Sequence, residues 1–272
     1  PRSKSGGVDR LRRSIYATEG SHKYLKALTH YWGYTLNFRK IHHNRVELVP
    51  KNWKTHRSIA CEPEGNLFLQ LAFDTYCKRR LRSHLRVNLR DQSRNQRMAY
   101  RGACTGEICT VDLKAASDRL SLNVVHLLFE REWVNYFLDT RSPCWKDGDG
   151  VLHAYSKLSS MGNGYTFAIE TLVFAAACRA VGSKDWSVYG DDIIIETRLY
   201  EDLTALLAYL GFEVNQEKSH HETYRYNRSQ HEGPGVTPGP TQASALDPFG
   251  GFNGVELDEG SVITQGESRE TA

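Results

Sequence analysis

The spacing of apolar positions changes several times along the chain, and each change predicts an element. Over residues 1–60 aromatic side chains (Tyr31, Trp32, Tyr34, Phe38, Trp53) lie among lysines and arginines with few clean periodic runs. Asn66 is an N-cap residue type, and Leu67, Phe68, Leu71, Ala72 and Tyr76 follow at helical spacing. This predicts a helix to about Leu85 with those residues as its apolar stripe. The basic run Lys78, Arg79, Arg80 and Arg82 suits its C-terminal end. Gly102 and Gly106 mark a turn region before a strand at Ile108–Leu113. Ser121 predicts the cap of an apolar helix to about Leu138, and Pro143 with Asp147-Gly148-Asp149-Gly150 predicts the next turn.

Further on, Met161-Gly162-Asn163-Gly164 opens an apolar helix to about Val181. Trp186–Tyr189 and Ile193–Thr197 read as two strands of a hairpin joined by a tight Gly-Asp turn. A helix at Glu201–Leu210 is stopped by Gly211, and a short strand, Phe212–Asn215, follows. From Ile108 the order is strand, helix, helix, hairpin, helix, strand. That order predicts an α+β fold, with helices packed on one face of an antiparallel sheet. From about Gly233, Gly, Pro, Ser, Thr and acidic residues dominate, so residues 221–272 are expected to be a tail of low order.

Composition adds little until the charge is divided. The 272 residues are 40% hydrophobic and 25% charged, which is a globular composition. Residues 1–110 hold 22 Lys and Arg against 8 Asp and Glu, or +14, whereas 111–272 carry −11, giving the overall +3. A basic half beside an acidic half suggests a polyanion surface next to a group of carboxylates, although solvated helix faces would give the same totals. No apolar run reaches the length of a membrane helix, and Thr166–Val181 is interrupted by Glu170 and Arg179. The start, Pro1-Arg2-Ser3-Lys4, lacks the apolar segment of a secretory signal. The chain also opens without Met, which suggests a piece of something longer. Six cysteines form no C-x-x-C pair; Cys104 and Cys109 are close enough to share a metal, but buried structural thiols suit free cysteine better.

The sharpest chemical feature is Tyr189-Gly190-Asp191-Asp192 at the hairpin tip. A plain turn needs only one Asp beside a Gly, and two adjacent carboxylates repel. A divalent cation relieves that repulsion, and Mg²⁺ favours oxygen ligands of this kind. Asp112 ends an apolar strand, where a lone acid is costly unless it meets a cation or a cleft. Asp118 follows, and as a residue type it fits a helix cap equally well.

In order, Val111-Asp112-Leu113-Lys114-Ala115-Ala116-Ser117-Asp118, Ser159-Ser160-Met161-Gly162-Asn163-Gly164-Tyr165-Thr166-Phe167 and Tyr189-Gly190-Asp191-Asp192-Ile193-Ile194 resemble palm motifs A, B and C. The motifs are those of RNA-directed RNA polymerases of single-stranded RNA bacteriophages, the levivirus replicase β subunits. Val49-Pro50-Lys51-Asn52-Trp53-Lys54-Thr55-His56-Arg57 through Glu62-Pro63-Glu64-Gly65-Asn66 resembles the basic fingers motif, Asn95-Gln96-Arg97 also fits, and Gly211–Ser219 resembles motif D. The likeness spans roughly 45–220, and several ordered blocks are far more specific than Gly-Asp-Asp alone.

The resemblance implies a right-hand polymerase core. Fingers elements would occupy 1–107, palm 108–138, a fingers insertion 139–160 and palm 161–220, with the thumb missing. It implies two Mg²⁺ ions (or Mn²⁺) on Asp112 and Asp191, with Asp192 in support and the Leu113 carbonyl adding an oxygen. Lys51, Lys54 and Arg57 would neutralise NTP charge, and Lys218 would act as general acid toward pyrophosphate. Ser160, Gly162, Asn163 and Thr166 would line the nucleotide, with Asn163 and Asp118 as candidates for the ribose 2′-hydroxyl. The wider polymerase pattern has an Asn four residues after Thr166, where this chain has Glu170. Expected partners are RNA template and product, NTPs and host translation factors, with no membrane, in the cytoplasm of an infected bacterium. Two alternatives stay open: a catalytically inactive RNA-binding fragment, and a reverse transcriptase-like palm enzyme. Past motif D, Glu232-Gly233-Pro234 resembles the family before the likeness stops, which points to a frame slip or truncation there.

Overall fold

Three short segments, buried on both faces over most of their length, build the central sheet. Strands β5 (Ile108–Val111), β8 (Ser187–Tyr189) and β9 (Asp192–Glu196) form an antiparallel sheet in the order β5-β9-β8. The structure is a computed structural model and describes residues 14–51, 53, 55–216 and 219. Register pairs Val111 with Ile193 and Ile193 with Val188, which puts Cys109, Val111, Val188, Ile193 and Ile195 on one face. That face joins the main apolar core with Ile169, Val173 and Phe174 of α7 (Thr166–Ala180) and Leu203 and Leu207 of α8 (Tyr200–Tyr209).

The opposite face carries Ile108, Thr110, Ile194 and Ser187, and it is covered as well. Helix α3 (Ser93–Thr105) lies across it so closely that a Cβ on Gly102 would sit 2.4 Å from the Ile108 carbonyl oxygen. Ser187 Oγ donates to Asn95 Oδ1 at 2.5 Å from the same helix. The expectation of helices on one face only is therefore corrected to helices on both. Gly102 is a contact point inside a helix, and only Gly106 ends it, in the left-handed conformation.

Helix α2 (Glu64–Arg80) also departs from its expected orientation. Pro63 occupies the N-cap position and Asn66 is fully buried one turn in. The buried face is Asn66, Leu69, Gln70, Phe73, Asp74 and Cys77, while Phe68, Leu71, Ala72 and Tyr76 are exposed. Hydrogen bonds explain the inversion, because a buried amide with partners is not penalised. Asn66 Oδ1 accepts from Thr18 N at 2.9 Å, and Gln70 Nε2 donates to the Thr140 carbonyl at 2.8 Å. A π-helical turn, Leu81–Leu85, continues α2 to the expected end.

The N-terminal part contains structure that periodicity did not predict. Thr18 caps α1 (Glu19–Trp32), which connects the parallel pair β1 (Ile15–Ala17) and β2 (Phe38–Lys40). A second sheet has the order β4 (His56–Cys61), β3 (His43–Pro50), β6 (Cys144–Lys146), β7 (Leu152–Ala154), with β3 and β6 parallel. The expected Asp-Gly turn joins β6 to β7, and Asp147 Oδ1 accepts from the backbone of Asp149 and Val151. After α4 (Ala116–Arg119), the helix expected from Ser121 to Leu138 is two, α5 (Leu122–Leu128) and α6 (Arg131–Thr140). Phe129 and Glu130 are extended between them, and the Phe129 ring turns in to meet Phe137 at 5.3 Å. The expected strand Phe212–Asn215 is a single bridge, Val214 to Leu113. Among the described residues, no helix is long and apolar enough to cross a membrane.

Asn66 gives a direct test of the inverted helix face. Asn66→Ala leaves the buried Thr18 N–H without its acceptor and should cost about 1–3 kcal/mol in urea unfolding. Phe68→Ala, on the exposed face, should cost well under 1 kcal/mol.

Candidate active site

Strand register brings the acidic motifs together. Val111 pairs with Ile193, so the next residue of one chain segment, Asp112, lies at the level of Asp192, and Asp191 sits at the adjoining turn. Continuing the alternation puts Asp112 and Asp192 on the same sheet face. The turn itself is fixed from below. Gly190 has φ +66°, and a Cβ there would lie 2.1 Å from Cε2 of Phe167 on α7. Its N–H donates to Thr171 Oγ1 at 3.0 Å, so the hairpin tip is pinned to α7 by contacts only glycine permits.

Asp112 is held along its backbone and side chain by the segment after α8. Asn215 Nδ2 donates to Asp112 Oδ2 at 3.0 Å and Asn215 N donates to the Asp112 carbonyl at 2.9 Å. Asp112 N donates to Ser219 Oγ at 3.2 Å. Asn215 and Ser219 are positioning residues that the sequence marks only as members of a block. On the other side, Gln92 Nε2 donates to Asp192 Oδ2 and Asn95 Nδ2 to the Asp192 carbonyl, each at 3.4 Å.

Electrostatics follow from this crowding. Burial, then the charges of Asp191 and Asp112, push the Asp192 carboxyl up to about 6. Glu170, buried on α7, is pushed up to about 8 by burial and by Asp191 and Asp118. An all-oxygen donor set whose members repel suits a hard divalent cation. Among the described residues, however, no three Asp, Glu, His or Cys side chains converge into a ligand group.

The loop before α7 is a second cluster. Asn163 Oδ1 accepts from Ser160 N at 2.8 Å, and Thr166 Oγ1 donates to the Ser160 carbonyl at 3.1 Å. Ala60 N of β4 donates to the Met161 carbonyl at 2.8 Å. Gly162 has φ +110°, and a Cβ on it would lie 2.3 Å from the Ala60 carbonyl oxygen, so its missing side chain makes room for β4. Gly164 N donates to Gln70 Oε1 at 2.8 Å. Asn163 is buried, whereas Asp118 is exposed in the first turn of α4 and pairs with Lys157.

The basic residues sit on the other sheet. Lys51 is at the β3–β4 turn, where its N–H donates to the Thr55 carbonyl at 2.9 Å, and Arg57 lies on β4 opposite Val49. Both are exposed. Lys54, Lys218 and residues 220–272, including Pro234, lie outside the described residues. All six cysteines are free; Cys104 is exposed and Cys109 buried, and neither belongs to a metal-holding group among the described residues.

Comparison with known proteins gives a consistent family. The family model for the RNA replicase beta-chain matches residues 10–231. The chain is 41% identical over 233 residues to the RNA-directed RNA polymerase subunit beta of Enterobacteria phage SP, covering 81% of this chain and 40% of that protein. It is 42% identical over 204 residues to the subunit of the same name from Escherichia virus Qbeta, covering 72% of this chain and 34% of that one. The chain thus spans two fifths or less of these relatives. A looser likeness exists to an insertion-loop deletion mutant of the RNA-dependent RNA polymerase of a human picorbirnavirus. It has a TM-score of 0.47 at 16% identity and covers 65% of this chain and 41% of that one.

The raised Glu170 carboxyl sets a pH dependence that can be measured without any metal. Unfolded, the group titrates near 4.5, and folded near 8, so between those values the folded state binds the extra proton. Stability therefore falls as pH rises through that window, by at most about 1.4 kcal/mol per pH unit from this group. Asp192 contributes with the same sign and remains in the variant. In EDTA, Glu170→Gln should match the wild-type melting temperature near pH 4.5 and exceed it increasingly toward pH 8. Parallel curves for the two proteins would show that Glu170 is not held protonated.

Proposed function

The chain belongs to the RNA replicase beta-chain family, and on that premise we propose that it forms the catalytic core of an RNA-directed RNA polymerase, adding nucleotides to an RNA 3′ end. The observation that carries this reading is the placement of Asp112 level with Asp191 and Asp192 at one end of an antiparallel sheet. In this reading β5, β8 and β9 with α7 and α8 are the palm. The β3–β4–β6–β7 sheet belongs to the fingers, drawn from 1–107 and 139–160.

Asp112, Asp191 and Asp192 would hold Mg²⁺, with Mn²⁺ as a substitute. When bound, such ions supply the charge that activates a 3′-hydroxyl and holds the triphosphate and leaving pyrophosphate. The chain's own residues do the rest. Gly190 against Phe167 fixes the height of Asp191 and Asp192, and Asn215 orients Asp112. Lys51 and Arg57, with Lys54, meet the incoming triphosphate, and Lys218 protonates pyrophosphate. Asp118 and the Ser160–Thr166 loop read the ribose. Template RNA tracks the basic half of the chain through salt-sensitive phosphate contacts. Host translation factors complete the enzyme, and the work is done inside an infected bacterium.

Template-dependent NTP incorporation, with and without Mg²⁺, is the primary measurement. Asp112→Asn and Asp191→Asn should each reduce incorporation by at least about a thousandfold, because an amide keeps the shape but loses the charge. Metal-free melting temperature should hold or rise slightly, since like-charge repulsion is relieved. Incorporation near the wild-type rate in either variant removes the metal assignment.

Neutralising Lys51, Lys54 and Arg57 together should raise the apparent KM for NTP by about tenfold or more, with a smaller loss of RNA affinity. Equal loss of RNA binding with an unchanged KM would move these residues to the RNA track.

A further inference from the structure

Glu62, the first residue after β4, has no part in the reaction as set out above, yet its carboxylate gathers three separate segments. Oε1 accepts from Asn44 Nδ2 of β3 at 2.9 Å and from Asn163 Nδ2 at 3.2 Å. Oε2 accepts from Ser142 N at 3.0 Å and Ser142 Oγ at 2.9 Å, in the linker after α6. Glu62 is half-buried, and four donors meeting its two oxygens replace the water that its carboxylate loses. Burial pushes the group up while these hydrogen bonds pull it back.

The consequence for Asn163 is that both ends of its amide are fixed. Ser160 N holds Oδ1 and Glu62 holds Nδ2, so the loop from Ser160 to Gly164 takes its shape from a residue on the other sheet. The network also reaches Asp118. Asn44 Oδ1 accepts from Tyr155 Oη at 2.9 Å, and Lys157 Nζ, which pairs with Asp118, lies 5.6 Å from the centre of the Tyr155 ring. Both candidates for the ribose 2′-hydroxyl thus hang on one set of contacts centred on Glu62.

We propose that Glu62 is a positioning residue for ribose recognition, a carboxylate clamp that sets Asn163 directly and Asp118 through Asn44, Tyr155 and Lys157. The proposal rests on the polymerase reading for its ribose part and on geometry alone for the clamp. Glutamine cannot replace the carboxylate, because its NH₂ would face a donor where Oε1 or Oε2 now accepts. Reversing the polarity of the pair should restore the link, since the amide introduced by Glu62→Gln could then donate to the carboxylate introduced by Asn163→Asp.

The test uses Glu62→Gln, Asn163→Asp and the double variant in the intact chain, with two readouts. Backbone hydrogen exchange at Ser160 and Gly164 should quicken by about tenfold in Glu62→Gln, the effect of losing one charge-assisted hydrogen bond, with α8 amides unchanged. The ratio of kcat/KM for ATP over dATP should fall by about fivefold or more, chiefly through a higher KM for ATP. The double variant should recover the slow exchange, whereas the ATP to dATP ratio is read in Glu62→Gln alone, because Asn163 itself faces the ribose in this reading. Tyr155→Phe, a milder change, should shift the ratio in the same direction if Glu62→Gln does not fold. Unchanged exchange overturns the clamp. Faster exchange with an unchanged ATP to dATP ratio overturns the ribose role and leaves a structural brace. If the wild type incorporates neither nucleotide, the polymerase reading falls and the ribose role with it, while exchange and its rescue still decide the clamp.

Discussion

Like charges at Asp112, Asp191 and Asp192 repel, so the backbone that carries them has to be fixed by contacts that do not involve the carboxylates. The sheet supplies these. Ile193 and Ile195 are fully buried and Cys109 and Val111 nearly so, and burying each such side chain is worth about 1.5–3 kcal/mol. That apolar register locks the level at which the strands end, and therefore the level of the acids. Gly190 adds a vertical constraint by resting on Phe167, and Asn215 adds a lateral one at Asp112. Burial, and then the repulsion that the fixed backbone cannot relax, raises the proton affinity of Asp192 and Glu170.

Polar groups in the interior act differently, by specifying how elements meet. Apolar contacts alone would allow α2 to roll about its axis. Asn66 on Thr18 and Gln70 on both Thr140 and Gly164 allow only one rotation, since any other leaves buried amides unsatisfied. That rotation puts Leu67 and Leu71 beside Gly164, where an added Cβ would meet each of them within 3.2 Å. The loop before α7 is therefore positioned by α2 on one side and by β4 on the other.

The parts of the fold that the sequence reveals are those in which local pattern and tertiary demand agree. The β8–β9 hairpin, β5, α7 and α8 combine apolar runs with turn glycines, and each lies within a residue or two of its expected place. The acidic site was legible for the same reason, since Asp112 and Asp191-Asp192 stand at the ends of those strands. Misses occur where a long-range contact decides. The face of α2 is set by hydrogen bonds to residues 48 and 70 positions away, which periodicity cannot register. Gly102 resembles a turn signal but marks a close helix–strand crossing. Phe129 leaves the helix with extended backbone and packs its ring on Phe137, a contact with a residue beyond the break that apolar periodicity does not register. Nothing local distinguishes Glu62, whose four donors come from three distant segments.

Two of the basic residues expected to meet the triphosphate sit on a different sheet from the aspartates. Lys51 and Arg57 lie on the β3–β4 hairpin, and the aspartates lie at the end of the β5–β9–β8 sheet. The two sheets are connected by backbone groups, neutral side chains and one carboxylate. Ala60 with Met161, Gly162 under β4, and the Glu62 hydrogen bonds to Asn44, Ser142 and Asn163 form that connection. The same strand, β4, carries Arg57 at one end and delivers Ala60 and Glu62 to the loop at the other. β4 thus joins the basic hairpin to the loop that precedes α7, and α7 is the helix on which Gly190 rests.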